Sequence, residues 1–282
     1  MTEFWADLAT FPFLRNALMA GLAASAACGV IGTYVVTRRI SLIAGSLAHT
    51  VLGGMGADYY YATTRGWEWL HPLHGAVAAA VVAALLIGAA RTHLREREDT
   101  VLSALWSIGM ATGILFLFRT PGYKSDLMSY LFGNIAMVGR DDLQLLLALD
   151  VIVIAAVVLF WRPLLAISHD EEFARLRGIN VAGYHTLLLV LTALTIVSLI
   201  HVVGVVMVIA LVTLPVSVAG RFTRRLWPMM VVSALLCAAL TVGGLVVSYA
   251  RDLPTGATTI LLAGALYILV HAGFALRERL RT

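Results

Sequence analysis

The sequence predicts an all-α fold, a polytopic transmembrane helical bundle of about eight to nine spans forming one integral membrane domain over residues 1–282. Three observations carry that reading. The chain is 60% hydrophobic and 13% charged, with a mean hydropathy of +0.90, whereas a soluble domain is about 25% charged. Apolar runs long enough for a helix of about 20 residues recur along the whole length, and no polar block is long enough for a separate domain. Basic residues, nearly all arginine, collect in alternate loops.

The runs fall near 12–36, 41–61, 72–92, 99–118, 141–161, 181–200, 202–220, 227–248 and 256–276. The pair at 181–220 is weakly divided, with His201 and a few Val and Gly residues as its only turn signal. The acidic N-terminus (Glu3, Asp7) lacks the basic start of a signal peptide, so the first span itself is expected to direct insertion. With the N-terminus outside, the inner loops hold most of the Lys and Arg residues, including Arg38, Arg39, Arg91, Arg175 and Arg177. This places the C-terminus and the 162–180 loop in the cytoplasm. Trp67, Trp69, His71 and His74 then lie outside and suit an interfacial belt, with weak metal gathering by the two histidines as the alternative. The stretch 125–137, containing Tyr130 to Asn134, is too short to span and is expected to be interfacial or re-entrant.

Within the second run lies Gly45-Ser46-Leu47-Ala48-His49-Thr50-Val51-Leu52-Gly53-Gly54. An ionisable group at bilayer depth is costly and marks an ion route or a polar helix contact. On a helix Gly45, His49, Gly53 and Gly56 share one face, so the imidazole stands among residues without side chains. That face admits either an ion or another helix. We take Gly45, Ser46, His49, Gly53 and Gly56 as candidate pathway-lining residues, with a packing histidine as the alternative for His49.

The loop Ser168 to Gly178 encodes a short helix. Ser168 or Asp170 can cap it, Glu171 and Glu172 occupy its first turn, Arg175 and Arg177 its last, and Gly178 stops it. Phe173 and Leu176 give it an apolar edge, which suits docking to a soluble partner; a solvated loop helix is the alternative. Pro215 is expected to free a backbone carbonyl and to end or kink the helix that begins at Gly204. Asp252 and Thr255 read as caps of the last span, and Glu98 and Asp99 as caps of the fourth. Cys28 and Cys237 sit in apolar runs and match neither a metal nor a disulfide pattern. No Walker A, His-Glu-x-x-His or Gly-x-Ser-x-Gly sequence is present, which argues against an ATPase or protease site in this chain.

Taken in order, Arg38 through Gly54, Glu98-Asp99-Thr100, Tyr130 to Asn134, Asp170 to Arg175, Gly204 to Pro215 and Asp252 to Gly256 resemble the permease subunits of zinc/manganese ABC importers over nearly the whole chain. The resemblance implies an architecture related to the vitamin B12 and siderophore permeases. It further implies a homodimer in the bacterial plasma (inner) membrane, in contact with lipid, with two ABC ATPase subunits and an extracytoplasmic metal-binding protein as partners. ATP hydrolysis would belong to the separate ATPase, and the chain itself would be a transport subunit, not an enzyme. Asp170, Glu171, Glu172, Phe173, Ala174, Arg175 and Gly178 would form the coupling helix that meets the ATPase. No resident cofactor is expected; the transported divalent ion is cargo.

One position departs from the family pattern. Many relatives place Asp four residues before this His to form a transient metal site, and here that residue is Gly45, so the resemblance implies only His49 as the candidate metal ligand, with Ser46 beside it or a second His49 from the dimer mate. Loss of the carboxylate favours Zn²⁺ over Mn²⁺, with iron also open. A siderophore or corrinoid permease would need no His49, a gradient-driven secondary transporter would use it as a proton carrier without an ATPase, and a structural membrane subunit would leave the capped helix idle.

Overall fold

The structure is a computed structural model that describes residues 10–67, 72–93, 98–121 and 139–279, together with Phe4, Asp7 and Leu8. The described residues form helices α1 (Pro12–Thr37), α2 (Ser41–Arg65), α3 (Pro72–His93), α4 (Glu98–Arg119), α5 (Arg140–Leu159) and α6 (Trp161–His169). The helices α7 (Glu171–Leu176), α8 (Val181–Val203), α9 (Val205–Phe222), α10 (Leu226–Arg251) and α11 (Thr255–Arg279) follow. The described residues are helical throughout apart from short connections, in keeping with the expected all-α class. The stretch 125–137, His71 and Trp69 lie outside the described residues.

Six described helices are long and apolar enough to cross a membrane: α1, α3, α4, α8, α10 and α11. A seventh span arises if α5 and α6, which meet at a 74° bend, count as one. That is fewer than the eight to nine expected, for two physical reasons. Helix α2 is long enough but carries His49, Asp58, three tyrosines and four glycines, which lower its hydropathy. Helix α9 is short, its apolar part covering Met207–Phe222.

The chain divides into two compact units interleaved in sequence, the division falling within α5 after Asp150 and within α8 after Ser198. The first unit contains most of α1 together with α9, α10 and α11. Close approach of its helices depends on glycine. A Cβ at Gly29 would strike the Ala234 backbone, and one at Gly32 would lie 2.6 Å from the Val212 carbonyl. Helix α9 continues through Pro215 to Phe222, so the proline does not end it. Proline lacks the N–H that would bond Leu211, and the Cys237 thiol of α10 donates to that carbonyl at 3.5 Å. Cys237 also lies 3.6 Å from Cys28, and both thiols are free and buried.

The second unit contains α2, α3, α4, α6, α7 and most of α8, with α2 packed against both α3 and α4. The separation of α8 from α9 falls at Gly204 rather than His201, because φ of +82° there is backbone that only glycine adopts readily. Asp252 adopts a left-handed conformation at the end of α10, so it closes that helix instead of capping the last one.

Candidate functional site

His49 lies just over two turns along α2, half-buried, and two contacts fix its ring. The Nδ1–H donates to the Gly45 carbonyl at 2.9 Å. The ring stacks on Trp106 of α4, with centroids 4.1 Å apart and planes 17° from parallel. A neutral imidazole bonded through Nδ1–H keeps its lone pair on Nε2, the form in which histidine binds a metal. Gly45, which lacks the carboxylate, thus contributes its carbonyl to ring orientation.

The glycine face of α2 meets another helix. A Cβ at Gly53 would stand 2.8 Å from the Thr112 hydroxyl, and one at Gly56 would stand 2.7 Å from the Gly113 carbonyl. Thr50 reinforces this contact, its hydroxyl lying 2.8 Å from the Ser46 carbonyl and 3.1 Å from that of Leu105. Ser46 is buried, and its hydroxyl has no hydrogen-bond partner among the described residues. On the other side of α2, Gly54 touches the Gly75 backbone of α3, and the Asp58 carboxylate lies against Gly75 in the first turn of that helix. Among the described residues no three His, Cys, Asp or Glu side chains gather as a metal cluster.

The predicted loop helix is α7, bounded by Asp170 and Gly178. Asp170 rather than Ser168 caps it, its carboxylate accepting from the Glu172 and Phe173 N–H groups at 2.9 and 3.0 Å. Such a cap stabilises a helix start by about 1 kcal/mol. The Ser168 hydroxyl instead donates back to the Leu164 carbonyl. At the other end Gly178 takes φ of +76°, and the Ile179 N–H closes on the Ala174 carbonyl. Ala174 is buried, whereas Phe173 and Leu176 are exposed, with the Arg177 guanidinium over the Phe173 ring at 4.8 Å. Arg175 and Glu172 complete the charged turns of this helix.

Glu171 points into the protein. Its carboxylate pairs with Arg38, in the turn between α1 and α2, and with Arg91 near the end of α3, the latter at 2.9 Å. Arg91 also places its guanidinium 3.1 Å from Nε2 of His185, a buried residue in the second turn of α8. Burial pushes the Arg38 guanidinium below its ordinary pKa, with Arg91 adding to the effect and Glu171 opposing it. Arg38, Arg91 and Glu171, with Arg39, Asp99, Ser168 and His169, line a polar cavity of about 520 Å³.

Sequence reasoning missed Trp106, the Arg38–Glu171–Arg91 cluster and Asp150. The last is a buried carboxylate within α5. The rule that singled out His49 applies equally to the Asp in Leu-Ala-Leu-Asp-Val-Ile-Val, so the signal was present. Trp106 carries no pattern of its own, because its role depends on which helix faces α2. His74 is exposed in the first turn of α3, and Trp67 stacks loosely on Tyr61 beside Arg65, an arrangement suited to an interface.

Several described helices long and apolar enough to cross a membrane, with a capped polar helix in a loop, mark a multi-pass membrane protein. The chain belongs to the ABC 3 transport family, whose pattern matches residues 10–273. It is therefore a transport subunit and not itself an enzyme. It is 38% identical over 258 residues to a Chlamydia trachomatis serovar D membrane protein named for a metal transport system, covering 92% of this chain and 88% of that protein. It is 32% identical over 269 residues to the manganese transport system membrane protein MntC of Halalkalibacterium halodurans, covering 95% and 90%. Among solved structures it resembles PsaBC from Streptococcus pneumoniae in complex with Fab, with a TM-score of 0.84 and 27% identity over 95% of this chain and 94% of that one.

Proposed function

We propose that this permease imports a divalent first-row metal ion, acting as one integral membrane domain over residues 1–282 in the bacterial plasma membrane. The observation that carries the reading is His49, held by Gly45 and Trp106 with Nε2 as its metal-binding atom. A single imidazole gives a weak, rapidly exchanging site, suited to transit because a tight site would retain the ion. Ser46 offers a neutral oxygen beside it, and His49 of a second copy supplies another nitrogen in a homodimer. Gly45, Gly53 and Gly56 line the path when α4 draws away from α2, so the close glycine contacts act as the gate.

In this reading the N-terminus lies outside, and the C-terminus and α7 face the cytoplasm. Two ABC ATPase subunits bind there, and a metal-binding protein delivers the ion from outside. Exposed Phe173 and Leu176 on the capped helix α7 form the apolar edge that enters a groove of the ATPase. The absence of a carboxylate at Gly45 favours zinc, since imidazole suits Zn²⁺ and oxygen donors suit Mn²⁺. Manganese is the second reading, favoured by the name of the MntC relative.

Metal-resolved uptake into vesicles by the complex, compared with His49→Ala, tests this assignment. ATP-dependent zinc uptake exceeding manganese uptake, and abolished by the substitution, is expected. The reverse metal order would establish the manganese reading. Uptake by the chain alone on an ion gradient, or uptake of a metal chelate independent of His49, would overturn the proposal.

A further inference from the structure

Glu171 sits at a junction that the coupling role of α7 does not by itself require. A helix that only docks to a soluble partner presents its charges to that partner or to water. Here the first residue of α7 turns its carboxylate inward to two arginines on different segments. Arg38 has a side chain only 5% exposed and lies three residues before α2, the helix that carries His49. Arg39 beside it has φ of +59°, so the turn holds a conformation unusual for a residue with a side chain. Arg91 closes the far side from α3 and reaches His185 on α8. One carboxylate thus joins α7 to the turn before α2 and to the end of α3, and through Arg91 to the start of α8, all in the same compact unit.

The energetic asymmetry of such a cluster matters more than its net contribution. A buried ion pair is weak evidence for stability, but removing one partner strands the other charge away from water. Displacement of α7 without its neighbours would strand Arg38 in this way. A displacement of the helix that keeps Arg38 paired must carry the start of α2 with it.

We infer that Glu171 is a positioning residue that transmits displacement of α7 to α2 through Arg38 and to α3 through Arg91. The inference rests on the permease reading above, in which an ATPase moves α7. Glu171 is then distinct in role from Phe173 and Leu176: those side chains meet the partner, while Glu171 passes the movement inward.

The test uses the permease assembled with its ATPase in vesicles, measuring ATP hydrolysis and zinc and manganese uptake on the same preparation. Glu171→Gln and, separately, Arg91→Gln are expected to lower the metal moved per ATP hydrolysed at least fivefold, with ATPase copurification retained. The double variant is expected to fall no further than Glu171→Gln alone, because Arg91 acts through Glu171. An unchanged ratio of uptake to hydrolysis in both single variants would overturn the proposal. So would a proportional fall in assembly, hydrolysis and uptake, which marks a merely structural role. Wild-type complex that moves neither metal with ATP would instead overturn the permease reading, and the proposal with it.

Discussion

Helices α2 and α11 have the same length of 25 residues and opposite characters. Helix α11 passes every test for a membrane span, yet only 11% of its most apolar window is buried, and Leu261 and Leu269 face outward. Helix α2 fails the same test while burying Ile43 through Ala48, Val51, Leu52, Met55 and Gly56 against its neighbours. The difference teaches that hydropathy and burial are separate properties, since α1 and α8 are nearly as apolar as α11 with 67% of that stretch buried. A helix enclosed by other helices can carry His, Ser and Gly, because its environment is protein. The polar helix is consequently where chemistry can be placed.

Four substitutions sharpen that contrast. The largest effect is expected at His49→Ala, which removes the proposed nitrogen ligand and should lower metal uptake by at least roughly tenfold, with the ATPase still bound. Unchanged uptake would make α2 a packing helix only. Next, Gly56→Val forces a branched side chain into the Gly113 backbone. Thermal unfolding in detergent should show a loss of about 2 kcal/mol, as overpacking does. Thr50→Val keeps the shape and removes the hydroxyl that reaches the Leu105 carbonyl; chemical denaturation in detergent should report a loss of about 0.6 kcal/mol. The smallest effect belongs to α11, where Leu269→Ala should shift the same unfolding transition by no more than about 0.5 kcal/mol. A larger loss there would mean that this face is buried in the assembled protein.

The all-helical class was legible because composition and run length are properties of the chain alone. So was α7, since a cap, two acids, two arginines and a terminal glycine are local signals read within ten residues. His49 was legible for the same reason, as one imidazole in an apolar run. Its tautomer was not, because that depends on the Gly45 carbonyl and on a stacked Trp106 more than fifty positions away in sequence. The inward aim of Glu171 was equally hidden: its pattern fits a dipole-stabilising acid, and only the approach of Arg38 and Arg91 reveals the second task. Length and hydropathy alone mark six or seven spans among the described residues, and the two remaining long or apolar helices, α2 and α9, fall short through polarity and shortness, which no window of hydropathy can weigh against tertiary context.

Asp170 closes α6 with its backbone N–H and opens α7 with its side chain. One extended residue thus serves as the whole joint between two helices, leaving a single pair of backbone dihedrals to set their mutual direction. The spacing there is consequently under strict constraint. Adding one residue at this joint would turn α7 by about 100° about its axis and swing Glu171 away from both arginines. Substitutions around the joint can be absorbed by side-chain adjustment, whereas a change in chain length cannot.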